Sequence, residues 1–534
     1  NLKKVDPLLS LLSYKTLPVL LLIFALLAGA DARSEDVVPR FTDVKSKTGV
    51  KTPQALGQTS AWGDFNNDGW LDLLISDIAR RSPGRGSRVR SYSSRRGYQD
   101  QAPEQEAEES KPLQPLYLYS GRDGKTFAEV SESAGLPNMG VNSAAWADYN
   151  NDGYLDLVLT SIEGGVPPVL FKNSAKFKFE DVSTAAGLTE EGSVSMNLTW
   201  VDYDRDGLVD LFQAGRGKSF LYRNNGDGTF KNATGKLPLG ERTSAYSAVW
   251  FDANGDGYAD LFLGNTGLNN FYINNGDGSF KDATEASGLA GEQGWRSAAA
   301  CAGDYNGDGH IDLYVANLGR DARNALYKNN GDGTFTDVTE ETGTGDVGDG
   351  RTCAWIDFDA DGRLDIFSSN HTYPNKLYRN LGDGKFADVA EEAGIALPKD
   401  VFSATWGDYD RDGFIDAFLN GHIGVALMRN GGNGNNSITL KLEGNGKTTN
   451  TSAIGARVEV KTPATGLQVR EVSGGKGCCE QDMLPVYFGL GSEKAVDIVV
   501  KWPGGEACKF EKTPVGKNKQ FIIREAGCKL IPSG

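Results

Sequence analysis

Seven copies of one nine-residue pattern, D-x-[DN]-x-D-G-x-x-D, constrain this chain more than anything else in its 534 residues. They read DFNNDGWLD (Asp64 to Asp72), DYNNDGYLD (Asp148 to Asp156), DYDRDGLVD (Asp202 to Asp210) and DANGDGYAD (Asp252 to Asp260). DYNGDGHID (Asp304 to Asp312), DFDADGRLD (Asp357 to Asp365) and DYDRDGFID (Asp408 to Asp416) follow. Their starts lie 84, 54, 50, 52, 53 and 51 residues apart. Trp stands two places before the first Asp in six copies (Trp62, Trp146, Trp200, Trp250, Trp355, Trp406), and Ala302 stands there in the fifth.

Three or four carboxylates within nine residues repel one another unless a cation sits among them. Side-chain oxygens at places 1, 3, 5 and 9, with the backbone carbonyl of place 7, can wrap one hard ion such as Ca²⁺ at about 2.3–2.6 Å. The expected ligands are Asp64, Asn66, Asp68, Trp70 and Asp72 in the first loop, and Asp148, Asn150, Asp152, Tyr154 and Asp156 in the second. The third and fourth offer Asp202, Asp204, Asp206, Leu208 and Asp210, then Asp252, Asn254, Asp256, Tyr258 and Asp260. The fifth offers Asp304, Asn306, Asp308, His310 and Asp312, and the sixth Asp357, Asp359, Asp361, Arg363 and Asp365. Asp408, Asp410, Asp412, Phe414 and Asp416 complete the set. Gly at place 6 allows the bend that gathers these oxygens. An EF-hand is excluded, because it needs a bidentate Glu at place 12 and flanking helices. Place 12 here is Ile75, Leu159, Gln213, Leu263, Val315, Ser368 or Leu419.

Each loop runs into a short apolar stretch such as LDLLIS or ADLFLGN, which reads as a buried strand. An apolar pair and an Asp-Gly hairpin signal follow, as in NNGDGTF (Asn224–Phe230) and NNGDGSF (Asn274–Phe280). A Phe-x-[DEN]-[VA] segment then closes the unit, at Phe41, Phe127, Phe179, Phe230, Phe280, Phe335 and Phe386. Four strands per unit and seven units predict an all-β fold, a seven-bladed β-propeller. Phe41-Thr-Asp-Val precedes the first loop and none follows the last, so this strand is expected to complete the seventh blade beside Val425–Arg429. After Gly431 the loop pattern stops, and residues 436–525 alternate like the strands of a small β-sandwich-like domain.

The repeats, over about 41–431, resemble the FG-GAP/VCBS repeats of integrin α-subunit propellers. That resemblance implies one Ca²⁺ per loop, up to seven, held by places 1, 3, 5, 7 and 9. Ala453-Ile-Gly-Ala-Arg457, Phe488-Gly-Leu-Gly491 and Val500-Lys-Trp-Pro-Gly504 resemble the ASPIC/UnbV domain, which follows such a propeller in the cartilage acidic protein family and in secreted bacterial relatives. Cys478-Cys479 stand where that domain often has an aromatic-polar stretch.

Residues 1–32 read as a secretory signal peptide, with Lys3, Lys4 and Lys15 before the apolar run from Leu17 to Ala28. A membrane association is expected only if that segment stays uncleaved. Residues 78–114 read as a disordered insertion in the first blade, with seven Arg in Arg80–Gly97 and five acids in Asp100–Glu109. The net charge of −16 excludes binding to phosphate backbones, and seven Ca²⁺ would neutralise most of it. Cys478, Cys479, Cys508 and Cys528 predict one or two disulfides, whereas Cys301 and Cys353 read as small buried side chains. Sequons stand at Asn197, Asn232, Asn370, Asn435 and Asn450.

Three His in three repeats and no nucleophile or phosphate-loop motif argue against catalysis. The face away from the metal loops carries Arg216, Lys218, Asn265, Asn269, Asn270, Asn317, Arg320, Arg323, Asn370, His371, Tyr373, Asn375 and His422, as turn residues or as a polar cleft. The reading is a secreted, calcium-binding, non-catalytic binding or adhesion module for an extracellular protein or glycan. The alternative is a carbohydrate-active enzyme or lectin using the metal-free face.

Overall fold

The structure is a computed structural model that describes residues 37–51, 59–76, 116–161, 164–240, 243–319, 321–398, 400–421, 424–477 and 479–533. The leader, the 78–114 insertion, Arg320, His422 and Cys478 lie outside these residues. Each acidic loop joins the first two strands of a four-stranded antiparallel sheet, because the apolar runs on either side can pair only by folding back on each other. The first strands are Ser60–Gly63, Val141–Ala147, Val194–Val201, Thr243–Phe251, Arg296–Gly303, Gly350–Ile356 and Val401–Gly407. Each packs against the first strand of the next sheet, and Val401–Gly407 packs back on Ser60–Gly63, so the seven inner strands close a ring. The sheets radiate from it in a propeller-like, nearly all-β arrangement. Arg216 and Gly217 also pair with Ser244 and Thr243, which joins the third sheet to the fourth.

The expected closure is present. Phe41, Thr42 and Asp43 pair with Asn430, Arg429 and Met428, so the seventh sheet takes its outer strand from the N-terminal side. Phe41 is buried against Phe358 and Trp406. The ring is thus fastened by two distant stretches of chain, with Phe41–Asp43 as the outer edge strand of that sheet.

The C-terminal part holds two four-stranded sheets. Asn436–Glu443 lies between Val486–Gly491 and Lys519–Arg524, with Lys529–Pro532 at the edge, and Arg457–Thr462 and Ala495–Lys501 lie between Gly466–Glu471 and Cys508–Pro514. Ile438, Leu440, Val458, Val460, Phe488, Ile498 and Val500 meet between them in one core, which runs on into Trp200, Leu211 and Tyr222 of the third propeller sheet. Two strands go beyond the sequence reading: Cys508–Pro514 and Lys529–Pro532. Both are edge strands with few buried positions, so neither shows an apolar run. A Cys508–Cys528 disulfide ties them; Cys301 and Cys353 are free thiols, and they and Cys479 are buried. No described helix is long and apolar enough to cross a membrane. Of the sequon residues only Asn232 is exposed; Asn197, Asn370, Asn435 and Asn450 are buried.

Candidate metal centres

The loops share one hydrogen-bond scheme. In all seven, the N–H of the Gly at place 6 donates to the first Asp, and the N–H of place 7 donates to the Asp at place 5. Those Gly residues have φ between 84° and 94°, which accounts for the invariant glycine. Place 4 is left-handed as well: Asn67, Asn151, Arg205, Ala360 and Arg411 have φ of 53° to 56°, and Gly255 and Gly307 stand there in the other two. A side chain in that region costs about 1–2 kcal/mol, so five loops hold a strained corner in place. The ninth Asp accepts from the N–H at the end of its sheet's third strand in every copy.

That third-strand residue is Asn173, Asn224, Asn274, Asn329, Asn380 or Asn430 in six sheets. Its side-chain amide donates twice, to a carbonyl of its own loop and to one in the loop of the preceding sheet, at 2.8 to 3.2 Å. Each buried Asn is therefore a strut between neighbouring loops. The first sheet has Gly121 instead, where a Cβ would lie 2.2 Å from the Leu71 carbonyl oxygen. In the sequence these Asn residues read only as part of a hairpin turn.

The acidic side chains converge as expected. Carboxylate oxygens of Asp202, Asp204 and Asp206, of Asp357, Asp359 and Asp361, and of Asp408, Asp410 and Asp416 lie within 4.8 Å of one another in their groups. The other four loops carry Asn at place 3 and so hold one carboxylate fewer. Burial pushes the ninth Asp up everywhere, Asp156 to about 9 and Asp260 to about 8, and neighbouring carboxylates add to it. Burial likewise raises Asp202 and Asp361 to about 7. Oδ1 of Asp64, Asp204, Asp359 and Asp408 and Oδ2 of Asp416 are buried with no hydrogen-bond partner. Such oxygens are costly unless something positive faces them. In the three all-Asp loops an Arg from the third strand supplies part of it: Arg223 to Asp204 at 2.6 Å, Arg379 to Asp359 at 2.6 Å, and Arg429 to Asp410 at 2.5 Å. The residues fit a divalent cation: oxygens of the right kind gather on a strained loop, and several still lack a partner.

A family model described as FG-GAP-like repeat matches residues 202–263, 252–315, 304–368 and 357–419, and one described as ASPIC and UnbV matches 446–529. The chain carries FG-GAP-like repeats and an ASPIC and UnbV domain. It is homologous to cartilage acidic protein 1: 25% identical over 249 residues to that of Xenopus tropicalis, covering 34% of this chain and 38% of the relative. The human protein is 29% identical over 250 residues, covering 34% of this chain and 37% of the relative. The match thus spans well under half of these relatives' length. Among solved structures, a rhamnogalacturonan lyase of Bacillus licheniformis is 10% identical with a TM-score of 0.37, covering 74% of this chain and 75% of its own. An Agrocybe aegerita lectin, solved for its recognition of terminal N-acetylglucosamine, is 19% identical with a TM-score of 0.39, covering 69% and 86%.

The ASPIC and UnbV domain sits on the face that carries the acidic loops and touches all seven. Lys441 Nζ lies 3.7 Å from Asp64, the Ser452 hydroxyl accepts from the Asp148 N–H at 2.9 Å, and Arg205 donates to the Pro503 carbonyl. The Asp252 N–H donates to Glu471 at 3.4 Å, and Arg457 to the Gly309 carbonyl at 2.7 Å. The Gly489 N–H donates to Asp357 at 3.0 Å, and the Tyr487 hydroxyl to the Gly413 carbonyl at 2.9 Å.

One segment of the domain goes further, into the ring. Gly474 accepts from the Trp200 N–H, Glu480 and Gln481 pair in parallel with Ser60 and Ala61, and the Gln481 amide clasps both backbone groups of Trp146. Glu480 accepts from the Ala404 N–H at 2.5 Å and from the Thr352 hydroxyl, and Asp482 accepts from the Trp406 N–H at 2.8 Å. Lys476 Nζ, 2.7 Å from Asp482, balances the buried acids. Where Ala302 replaces the usual Trp, a cavity of about 170 Å³ opens beside Trp250, Trp355 and Lys476. The resemblance to the ASPIC/UnbV domain marks this stretch only by Cys478-Cys479, and nothing in the sequence shows that its neighbours enter the ring. Of the expected metal-free-face residues, Asn265, Asn269 and Asn270 bond among themselves and hold their turn.

Proposed function

We propose that this protein is a secreted, calcium-stabilised binding module without catalytic chemistry, its ions structural and its accessible face the one opposite the metal loops. The observation that carries this reading is that the C-terminal domain covers the metal loops and fills the ring behind them. An ion held there would meet the protein's own groups on the side that the domain covers, although Asp68, Asp152, Asp256 and Asp308 at place 5 remain exposed. Up to seven Ca²⁺, one per loop, would take the oxygens of places 1, 3, 5, 7 and 9. The Cys508–Cys528 disulfide supports an oxidising, extracytoplasmic compartment. The relatives named cartilage acidic protein support an extracellular binding role, with a protein or glycan ligand. Elemental analysis together with thermal melting in EDTA tests it. Several calcium ions per chain and a melting temperature that falls on chelation are expected; calcium-free protein that melts unchanged in EDTA overturns the reading.

A further inference from the structure

Six inner strands break register at the same place, near the end away from the metal loops: at Asn142, Met196, Tyr246, Ala298, Arg351 and Phe402. A bulge re-aims the side chain it carries, and here it does so six times around the mouth of the ring. The residues beside the bulge are small in nearly every repeat, yet those at the bulge differ from one another. Repetition therefore serves the ring, and the bulge position is free for something else.

Three of the six bulge residues, Tyr246, Arg351 and Phe402, are aromatic or cationic, and two arginines of the flanking strands meet the first of them. The Tyr246 ring carries Arg216 of the third sheet at 5.6 Å and Arg296 of the fifth at 4.7 Å, and Arg351 lies over Phe402 at 4.8 Å. Arg296 Nε is buried with no hydrogen-bond partner, and among the described residues neither Arg216 nor Arg296 makes an ion pair. In a chain of net charge −16, guanidinium groups left without carboxylates are conspicuous. Stacking fixes their planes, and a fixed fork binds carboxylates in pairs. Of the seven most exposed large apolar side chains among the described residues, Leu268, Val347, Tyr373 and Val166 lie in connections on this face. Arg and Tyr are enriched where proteins meet, which suits a protein partner better than a sugar.

We propose that this mouth docks an acidic peptide segment of another protein, its carboxylates on Arg216 and Arg296 and its apolar side chains on the surrounding connections. The proposal rests on the binding-module reading and gives that module its ligand class. The test uses the full chain, loaded with calcium and immobilised, against a displayed library of random dodecapeptides, with heparin and hyaluronan oligosaccharides as separate probes. Selected peptides should combine net negative charge with apolar residues, and raised salt should weaken them. An Arg216→Ala/Arg296→Ala variant that melts like the wild type should bind them at least about tenfold more weakly, and Arg216→Lys/Arg296→Lys should fall between. Peptides that are not acidic, or that bind the alanine variant unchanged, overturn this site while leaving a binding module elsewhere. Oligosaccharide binding lost in the alanine variant overturns the ligand class. Failure of every probe overturns the docking and removes the support for the module itself.

Discussion

Adjacent asparagines in NNGDGSF give a sharp test of how neighbouring sheets are held together. Asn274 is 1% exposed, and its side chain makes three hydrogen bonds: to the Tyr203 carbonyl at 2.8 Å, to the Ala259 carbonyl at 3.2 Å, and from the Gly276 N–H at 3.0 Å. Asn275 is exposed, and its side-chain amide bonds only to Ser279 Oγ, at 3.0 Å. Asn274→Ala removes all three bonds and strands buried partners in two different loops. At about 1–1.5 kcal/mol for each lost bond, the cost is about 3–5 kcal/mol. Asn275→Ala should cost under about 0.5 kcal/mol, as surface changes do. With an unfolding entropy of about 2.1 cal/mol/K per residue, a cooperative unit of about 450 residues moves by about 1 °C per kcal/mol. Calorimetry should therefore show Asn274→Ala melting about 3–5 °C below the wild type and Asn275→Ala within about 1 °C of it. Amide exchange should quicken in the loops at Asp202–Asp210 and Asp252–Asp260 in the first variant alone. Equal shifts in the two variants would refute the strut, because both residues occupy the same hairpin and differ only in what their side chains reach.

Three further outcomes follow from the same geometry. Gly121→Asn copies into the first sheet the residue that six other sheets use, yet it should destabilise by about 1–3 kcal/mol in denaturant titrations, because its Cβ would meet the Leu71 carbonyl at 2.2 Å. Burial raises the Glu480 carboxyl to about 7, against the stabilising pull of Lys476, with Asp482 adding to the rise. Its folded value exceeds its unfolded one of about 4.3, so the stability it contributes is present at low pH and lost as pH rises through about 7. Melting temperatures measured from about pH 5 to about pH 8 should show Glu480→Gln gaining on the wild type by about 2–4 kcal/mol as pH rises, and a pH-independent difference would sink this account of the buried acid. Finally, Arg429→Ala should lower calcium-free stability more than Lys172→Ala, because Arg429 faces both Asp410 and Asp412, at 2.5 Å in the first case, whereas Lys172 stands 3.8 Å from Asp152 in a loop with one carboxylate fewer. Melting both variants in EDTA checks the order.

Much of the propeller was legible before any coordinates. The Asp spacing located every loop, the alternation after it located the strands, and the solitary Phe41-Thr-Asp-Val at the start foretold the closing strand. These features are local: a carboxylate cluster, a turn glycine and an apolar run each leave their mark within a few residues. The struts were visible but misread, since Asn274 looks like any turn asparagine until the carbonyl of Tyr203 stands beside it. The left-handed place 4 escaped because it is filled by Asn, Arg, Ala and Gly without a common chemistry. Arg223, Arg379 and Arg429 did leave a signal, an Arg before the hairpin wherever place 3 is Asp, but their role depends on two strands lying side by side.

By itself, then, the sequence determined the repeat, the number of acidic loops and the order of strands, because backbone pairing and ion-ready turns are decided by neighbours in the chain. Only the tertiary structure decided that the C-terminal domain would cover those loops and send Gly474, Glu480, Gln481 and Asp482 into the ring. That docking joins Glu480 to Thr352, and Gln481 to Trp146, across more than a hundred residues. It depends on shape, buried charge and hydrogen bonds that exist only once both surfaces are built, and no pattern along the chain records them.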